Sequence, residues 1–208
     1  MTNPNYQKAN TNMKTIGVIK FVQIQQASLK AHHADGTRYY NPTPLLHLKR
    51  IQLTADGVIG LTESEDTIID VHHIKHPQSR HRGDNPISIG FTSHYAHMRV
   101  TYGDHLTDGI AGESIIVETS TRYTPESLGD HLAIYQHATN TYIDLNDIIP
   151  IPPCEPFSRF AQNRDLTPQE TKATLQFLSN GTRGFYGKLS NINITPIIQA
   201  GDTLVQID

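Results

Sequence analysis

Cys154 is the only thiol in the chain. It lies in the stretch Ile149-Pro150-Ile151-Pro152-Pro153-Cys154-Glu155-Pro156-Phe157. Proline fixes its own φ and pushes the residue before it toward extended geometry. The segment therefore reads as stiff and extended, holding one soft nucleophile at a defined place. A single cysteine closes no internal disulfide. Three roles stay open for it: a small buried hydrophobe, a reactive thiolate, or a metal ligand.

Three further groups could do chemistry. His72-His73-Ile74-Lys75-His76 brings three imidazoles together, and on a helix His72 and His76 would share a face as a metal pair. The apolar run before them and Pro77 after them point instead to a strand end or loop. His81-Arg82-Gly83-Asp84 sets a guanidinium beside a glycine, a pattern that can gather N–H donors around an oxyanion. Its bland alternative is a plain turn. Thr182-Arg183-Gly184 repeats the arginine–glycine pair, with a tight turn and a solvated arginine as its alternative. The phosphate-binding glycine loops, the nucleophile elbow and the paired-cysteine redox motif are all missing from the sequence.

Short strands must position these groups. Ile16 to Ile24 is rich in β-branched residues, and Leu48 to Leu53, Thr67 to Val71 and Pro86 to Phe91 are similar. Gly109-Ile110-Ala111-Gly112-Glu113-Ser114 is a glycine-marked bend leading into the strand Ile115 to Val117. Leu132 to Tyr135 and Thr141 to Ile143 form a pair, and Ala200-Gly201-Asp202 turns into a closing strand. Residues 31–44 read as loop. A short helix is expected over Ser93 to Val100, capped by Ser93, with Tyr95, Met98 and Val100 turned partly inward. The clearest helix begins at Thr167, where Pro168 and Glu170 complete a capping box. About ten short strands with one or two helices fit a barrel-like β fold.

The chain has 208 residues, 37% of them hydrophobic and 18% charged, and a formal charge of -3. That balance gives no global pull toward nucleic acid or anionic lipid. A polar start with no apolar core and no long apolar run point to a cytoplasmic protein without membrane partners. Twelve histidines make its charge sensitive to pH near neutrality.

Several of these pieces, in this order, resemble the MOSC domain, named after the C-terminal part of molybdenum cofactor sulfurases. The N-terminal strand, Asp56-Gly57-Val58-Ile59-Gly60, the His81-to-Ser88 segment, His94-Tyr95, Gly112-Glu113, Pro152-Pro153-Cys154, Arg183-Gly184 and the closing Gly201-Asp202 turn carry the likeness. Leu61 replaces the acidic residue that usually ends the family's first turn, and Ser114 stands where the family writes asparagine. The resemblance implies a mainly β, barrel-like MOSC fold with a few short helices. Residues 14–208 would form one domain behind a flexible segment, 1–13. It implies molybdenum cofactor as the bound group and sulfur handling through the cysteine. Some members of that family reduce N-hydroxylated compounds and ligate molybdenum through the cysteine.

Carried over, Cys154 is the expected catalytic residue and molybdenum ligand, with His81 as a hydrogen-bond donor or proton shuttle. Arg82 and Arg183 would hold the pterin phosphate. Gly112 and Glu113 would form the cofactor-side turn, with Glu113 orienting backbone donors. A reductase would need an electron-transfer partner, and a sulfur carrier would need a sulfur-donor protein. The alternative is a non-catalytic anion-binding or accessory protein with a structural cysteine.

Overall fold

The computed structural model describes residues 13–207. The expected loose segment 1–13 lies outside them, except for Met13, which opens the first strand. In chain order the elements are β1 (Met13–Gln25), β2 (Lys30–His32), β3 (Arg38–Tyr40), β4 (Leu45–Leu48), β5 (Arg50–Thr54), β6 (Gly57–Leu61), β7 (Thr67–Ile69) and β8 (Ile87–Phe91). Helix α1 (Thr92–Tyr102), β9 (Ile115–Glu118), helix α2 (Pro125–Leu128), β10 (Leu132–Gln136) and β11 (Thr141–Pro150) follow. Helices α3 (Glu155–Gln162) and α4 (Pro168–Leu178) precede β12 (Phe185–Leu189), β13 (Ile197–Gln199) and β14 (Thr203–Ile207).

Seven strands close into a barrel in the order β14-β10-β11-β12-β8-β9-β1, with β1 pairing back onto β14. The length of β1 makes this possible. Its first half lies against β14, with Met13 opposite Ile207, and its last residues lie against β4, with Gln25 opposite Leu45. Its pairing shifts between Thr15 and Gly17 and again between Ile19 and Phe21. Such irregularities let a strand bend around a barrel. A second sheet, in the order β13-β5-β6-β7, and the separate hairpin β2–β3 complete the strands.

One apolar cluster includes Ile19, Val22, Ile89, Phe91, Ile134 and Leu204 and fills the barrel. A second, with Tyr95, Met98, Leu106, Phe157, Ala161 and Leu178, packs α1, α3 and α4 against the outer wall. β8 is covered on both faces, by the barrel core on one and by Ile116, Glu113 and Ser114 on the other, which is why Ile87 to Phe91 are buried without alternation. α1 is the crossover that joins β8 to its parallel neighbour β9.

The strands expected from sequence are present, with two changes. Residues 31–44 are not all loop, because β2 and β3 pair there, Lys30 opposite Tyr40. The Leu48 to Leu53 run is divided between β4 and β5. α4 has the expected capping box, with Thr167 accepting from the Glu170 amide and Glu170 from the Thr167 amide. α1 departs from expectation. Its N-cap is Phe91, without a side-chain cap bond, because Ser93 Oγ donates instead to the Thr121 carbonyl. Val100 is 88% exposed rather than turned inward. α2 and α3 were not foreseen.

His94, buried on α1, ties the helix to the following loop, as its Nε2 accepts the Tyr123 amide at 2.8 Å. Burial pushes its pKa down to about 4. The unfolded chain, near the ordinary value of about 6.5, binds the proton more readily. Stability is therefore present above about pH 6.5 and lost as pH falls toward about 4. Urea unfolding across that interval should show a steep loss in the native chain. H94Q, which keeps an acceptor for Tyr123 but has no imidazole to protonate, should show a shallower one.

Candidate functional site

A cleft of about 390 Å³ opens where the hairpin, the second sheet's loop and the outer helices meet the barrel. Cys154 lies in its wall as the N-cap of α3, with an extended backbone (φ -133, ψ 150). Pro152 and Pro153 hold the chain straight up to it, and Pro156 occupies the helix's first turn, where a missing N–H costs nothing. A serine or aspartate at an N-cap turns its oxygen back onto the helix amides. Cys154 makes no such side-chain bond, so its sulfur is not occupied in capping. Its carbonyl accepts from both the Ser158 amide and hydroxyl, which fixes the helix start.

The cleft floor is a closed circuit around the glycine bend. The Ala111 amide donates to the Tyr95 hydroxyl at 3.1 Å, and that hydroxyl donates to Glu113 Oε2. The other carboxylate oxygen faces Arg183 Nη1 at 3.6 Å, and Arg183 Nη2 donates to the Ala111 carbonyl at 3.1 Å. The ring of Phe157 on α3 lies under the guanidinium, 4.0 Å from ring centre to Cζ. Burial pushes the Glu113 carboxyl above its usual range, while Arg183 and the Tyr95 hydrogen bond pull it back. Burial is the largest single influence on Arg183 and works against its charge, but Glu113 together with the smaller contributions of Tyr40, Tyr95 and Cys154 outweighs it, so the guanidinium stays protonated. Arg183 Nε and Nη1 are nevertheless buried without a hydrogen-bond partner.

Gly112 makes the bend possible. Its φ is +98, and a Cβ there would lie 2.5 Å from Gln25 Nε2. Gln25 Nε2 donates to the Gly112 carbonyl and Gln23 Nε2 to the carbonyls of Gly109 and Glu113, lacing the bend to the end of β1. Ser114 has its amide and hydroxyl satisfied by Ser88 on β8.

The rim is cationic. Lys30 and Arg38 come from the hairpin, and Arg80 and Arg82 from the loop 70–86, which also brings His72 and His81. Asp70 anchors that loop. It is buried, accepts the Gln25 amide at 2.6 Å, and accepts both the amide and the ring of His72. The Asp56-Gly57 turn supports it from behind, where a Cβ on Gly57 would lie 2.7 Å from His73 Cα. Leu61 is buried at the far end of β6 and does not line the cleft.

All six residues singled out from sequence, His81, Arg82, Gly112, Glu113, Cys154 and Arg183, line this one cleft. Their surroundings differ from expectation in four ways. Arg183 is not a solvated turn residue but is buried beside Glu113. The Glu113 carboxylate reaches the Ala111 amide through the Tyr95 hydroxyl rather than directly. The amide of Arg82 does not face an oxyanion, since Asn85 Oδ1 takes it at 2.8 Å. The histidine trio is dispersed: His72 bonds Asp70, His73 accepts the Lys75 amide, and His76 has both nitrogens occupied. Among the described residues no group of three such side chains is placed to hold a metal ion. Sequence reasoning missed Lys30, Arg38, Tyr40, Arg80 and Asp70. Only the basic–aromatic run Arg38-Tyr39-Tyr40 carried any signal.

The result is a mainly β, closed barrel with short outer helices that carries a thiol and a cationic cleft on its side. The chain is similar in structure to the YuaD protein from Bacillus subtilis, with TM-score 0.57 and 10% identity over 95% of this chain and 98% of that one. This likeness is one of fold alone. YiiM from Geobacillus stearothermophilus matches more loosely, with TM-score 0.48 and 14% identity over 95% of this chain and 76% of that one. No family model matches the sequence, and no curated protein matches it. Among the described residues no helix is long and apolar enough to cross a membrane.

Proposed function

We propose that the cleft is a molybdenum-cofactor site with Cys154 as its soft sulfur donor, serving reduction of N-hydroxylated compounds or transfer of sulfur. Charge carries this reading. The chain is acidic overall at -3, yet the cleft gathers Lys30, Arg38, Arg80, Arg82 and Arg183 around a single carboxylate, Glu113. That donor set suits a phosphate, which arginine grips through paired N–H bonds. Arg183, buried at the floor of the cleft, adds its charge beneath that donor set. When bound, the cofactor supplies two-electron chemistry at molybdenum, for which a thiolate is a suitable ligand.

The rim cations attract and orient the phosphate, and Arg183, held in place by Glu113, adds a fixed positive charge beneath them. Tyr40 stays a neutral phenol, because burial raises its pKa well above the usual range, and its hydroxyl donates to the Ile110 carbonyl. His81 is turned by its Nδ1 contact with the His72 carbonyl at 3.2 Å. A second reading, a non-catalytic anion-binding module, draws on the packing of Cys154 against the outer apolar cluster.

Alkylation of Cys154 by iodoacetamide tests the site. The thiol should react in the folded protein, inorganic phosphate should slow the reaction, and rising salt or R80Q/R82Q should remove that protection. A thiol that stays unreacted until the chain unfolds would contradict the proposal and favour the module.

A further inference from the structure

His81 was expected to handle protons in the cleft, but the geometry favours its neighbour. His72 Nδ1 lies 2.9 Å from Asp70 Oδ1, and the His72 amide donates to the same oxygen at 2.7 Å. A carboxylate only accepts, so Nδ1 carries the hydrogen. The remaining nitrogen, Nε2, is left as the ring's free proton-accepting site on a residue that lines the cleft. Asp70 is itself held rigidly, since its second oxygen accepts the Gln25 amide at 2.6 Å and it is buried. His81 lacks this support, because its Nδ1 faces the main-chain carbonyl of His72. A carbonyl orients an imidazole, whereas a carboxylate also compensates the charge of an imidazolium. That compensation matters here. Arg80, Arg82 and His81 share the loop with His72, and Lys30 and Arg38 line the cleft with it from the hairpin, all opposing a further positive charge.

We propose that His72, oriented by Asp70, is the residue that takes up a proton when an anionic ligand enters the cleft and donates it from Nε2 to a ligand oxygen. In that step the Nε2–H bond breaks, an O–H bond forms, and the imidazole returns to its neutral form with Nδ1–H still on Asp70. No electrons move. The inference rests on the reading that the cleft binds an anionic oxygen ligand.

Inorganic sulfate is a suitable probe, because it keeps its charge near neutrality and any protons taken up are then the protein's own. Calorimetric titrations in buffers of different ionisation enthalpy, over about pH 5 to 8, count those protons. The native chain and H76Q, whose ring lies outside the cleft, should take up a fraction of a proton approaching about one per sulfate. H72Q should still bind sulfate but lose most of that uptake. D70N, in which the dyad loses its charge, should lose it too, and H72Q suffices if D70N fails to fold. Unchanged uptake in H72Q, or its loss in H81Q instead, would overturn the assignment while leaving the cleft reading intact. No sulfate binding by the native chain would overturn both.

Discussion

Replacing Arg183 with methionine lowers the unfolding free energy by about 3–5 kcal/mol, the usual cost of stranding one member of a buried ion pair. The guanidinium is the cation facing Glu113, it donates to the Ala111 carbonyl, and it covers Phe157. Methionine refills the space over the ring but leaves a buried carboxylate without its countercharge. The double variant R183M/E113Q should recover a substantial part of the loss, because an amide needs no cation and can still accept the Tyr95 hydroxyl. Chemical denaturation of the single and double variants measures both. If R183M costs no more than an exposed arginine would, below about 1 kcal/mol, the closed circuit under the cleft is not the structural element described above.

Gly184→Ala should be comparably damaging for a steric reason. Gly184 has φ +91, and a Cβ there would lie 2.4 Å from the Ile89 carbonyl oxygen and 3.2 Å from Glu113 Cγ. The left-handed backbone alone costs an alanine about 1–2 kcal/mol, and moving β8 backbone adds about 1–3 kcal/mol more. The strain falls between Arg183 and β12, so phosphate protection of Cys154 should weaken along with stability. A G184A protein with native stability would show that β8 and β12 approach less closely here. Gly83, by contrast, has open space around its missing Cβ, so G83A should carry only the backbone penalty.

Much of the barrel was legible in the sequence because its strands are short, β-branched runs bounded by turn residues. α4 was legible for an equally local reason, since Thr167, Pro168 and Glu170 contain the whole capping signal. α3 was not, because Pro156 so near its start reads as a breaker, although the first turn of a helix tolerates it. That omission hid the fate of Arg183, whose burial depends on Phe157 of the unseen helix. The six site residues could be chosen singly, yet nothing local said that loops from the hairpin, the second sheet and the barrel would converge. Asp70 shows the limit most clearly. It interrupts the apolar run Thr67 to Val71 as a solvated aspartate would, and only the approach of β1, bringing the Gln25 amide, makes it a buried anchor. Lys30 and Arg38 became rim cations through the pairing of β2 with β3, which residues too short and polar for a strand pattern did not advertise.

The central claim is that Cys154 and the cationic cleft together hold a molybdenum cofactor. The most direct measurement is molybdenum content by mass spectrometry in native protein and C154S, both purified folded from a molybdate-replete host. The account predicts about one molybdenum per native chain and a several-fold loss in C154S. Folded native protein with a reactive Cys154 and no molybdenum would contradict it.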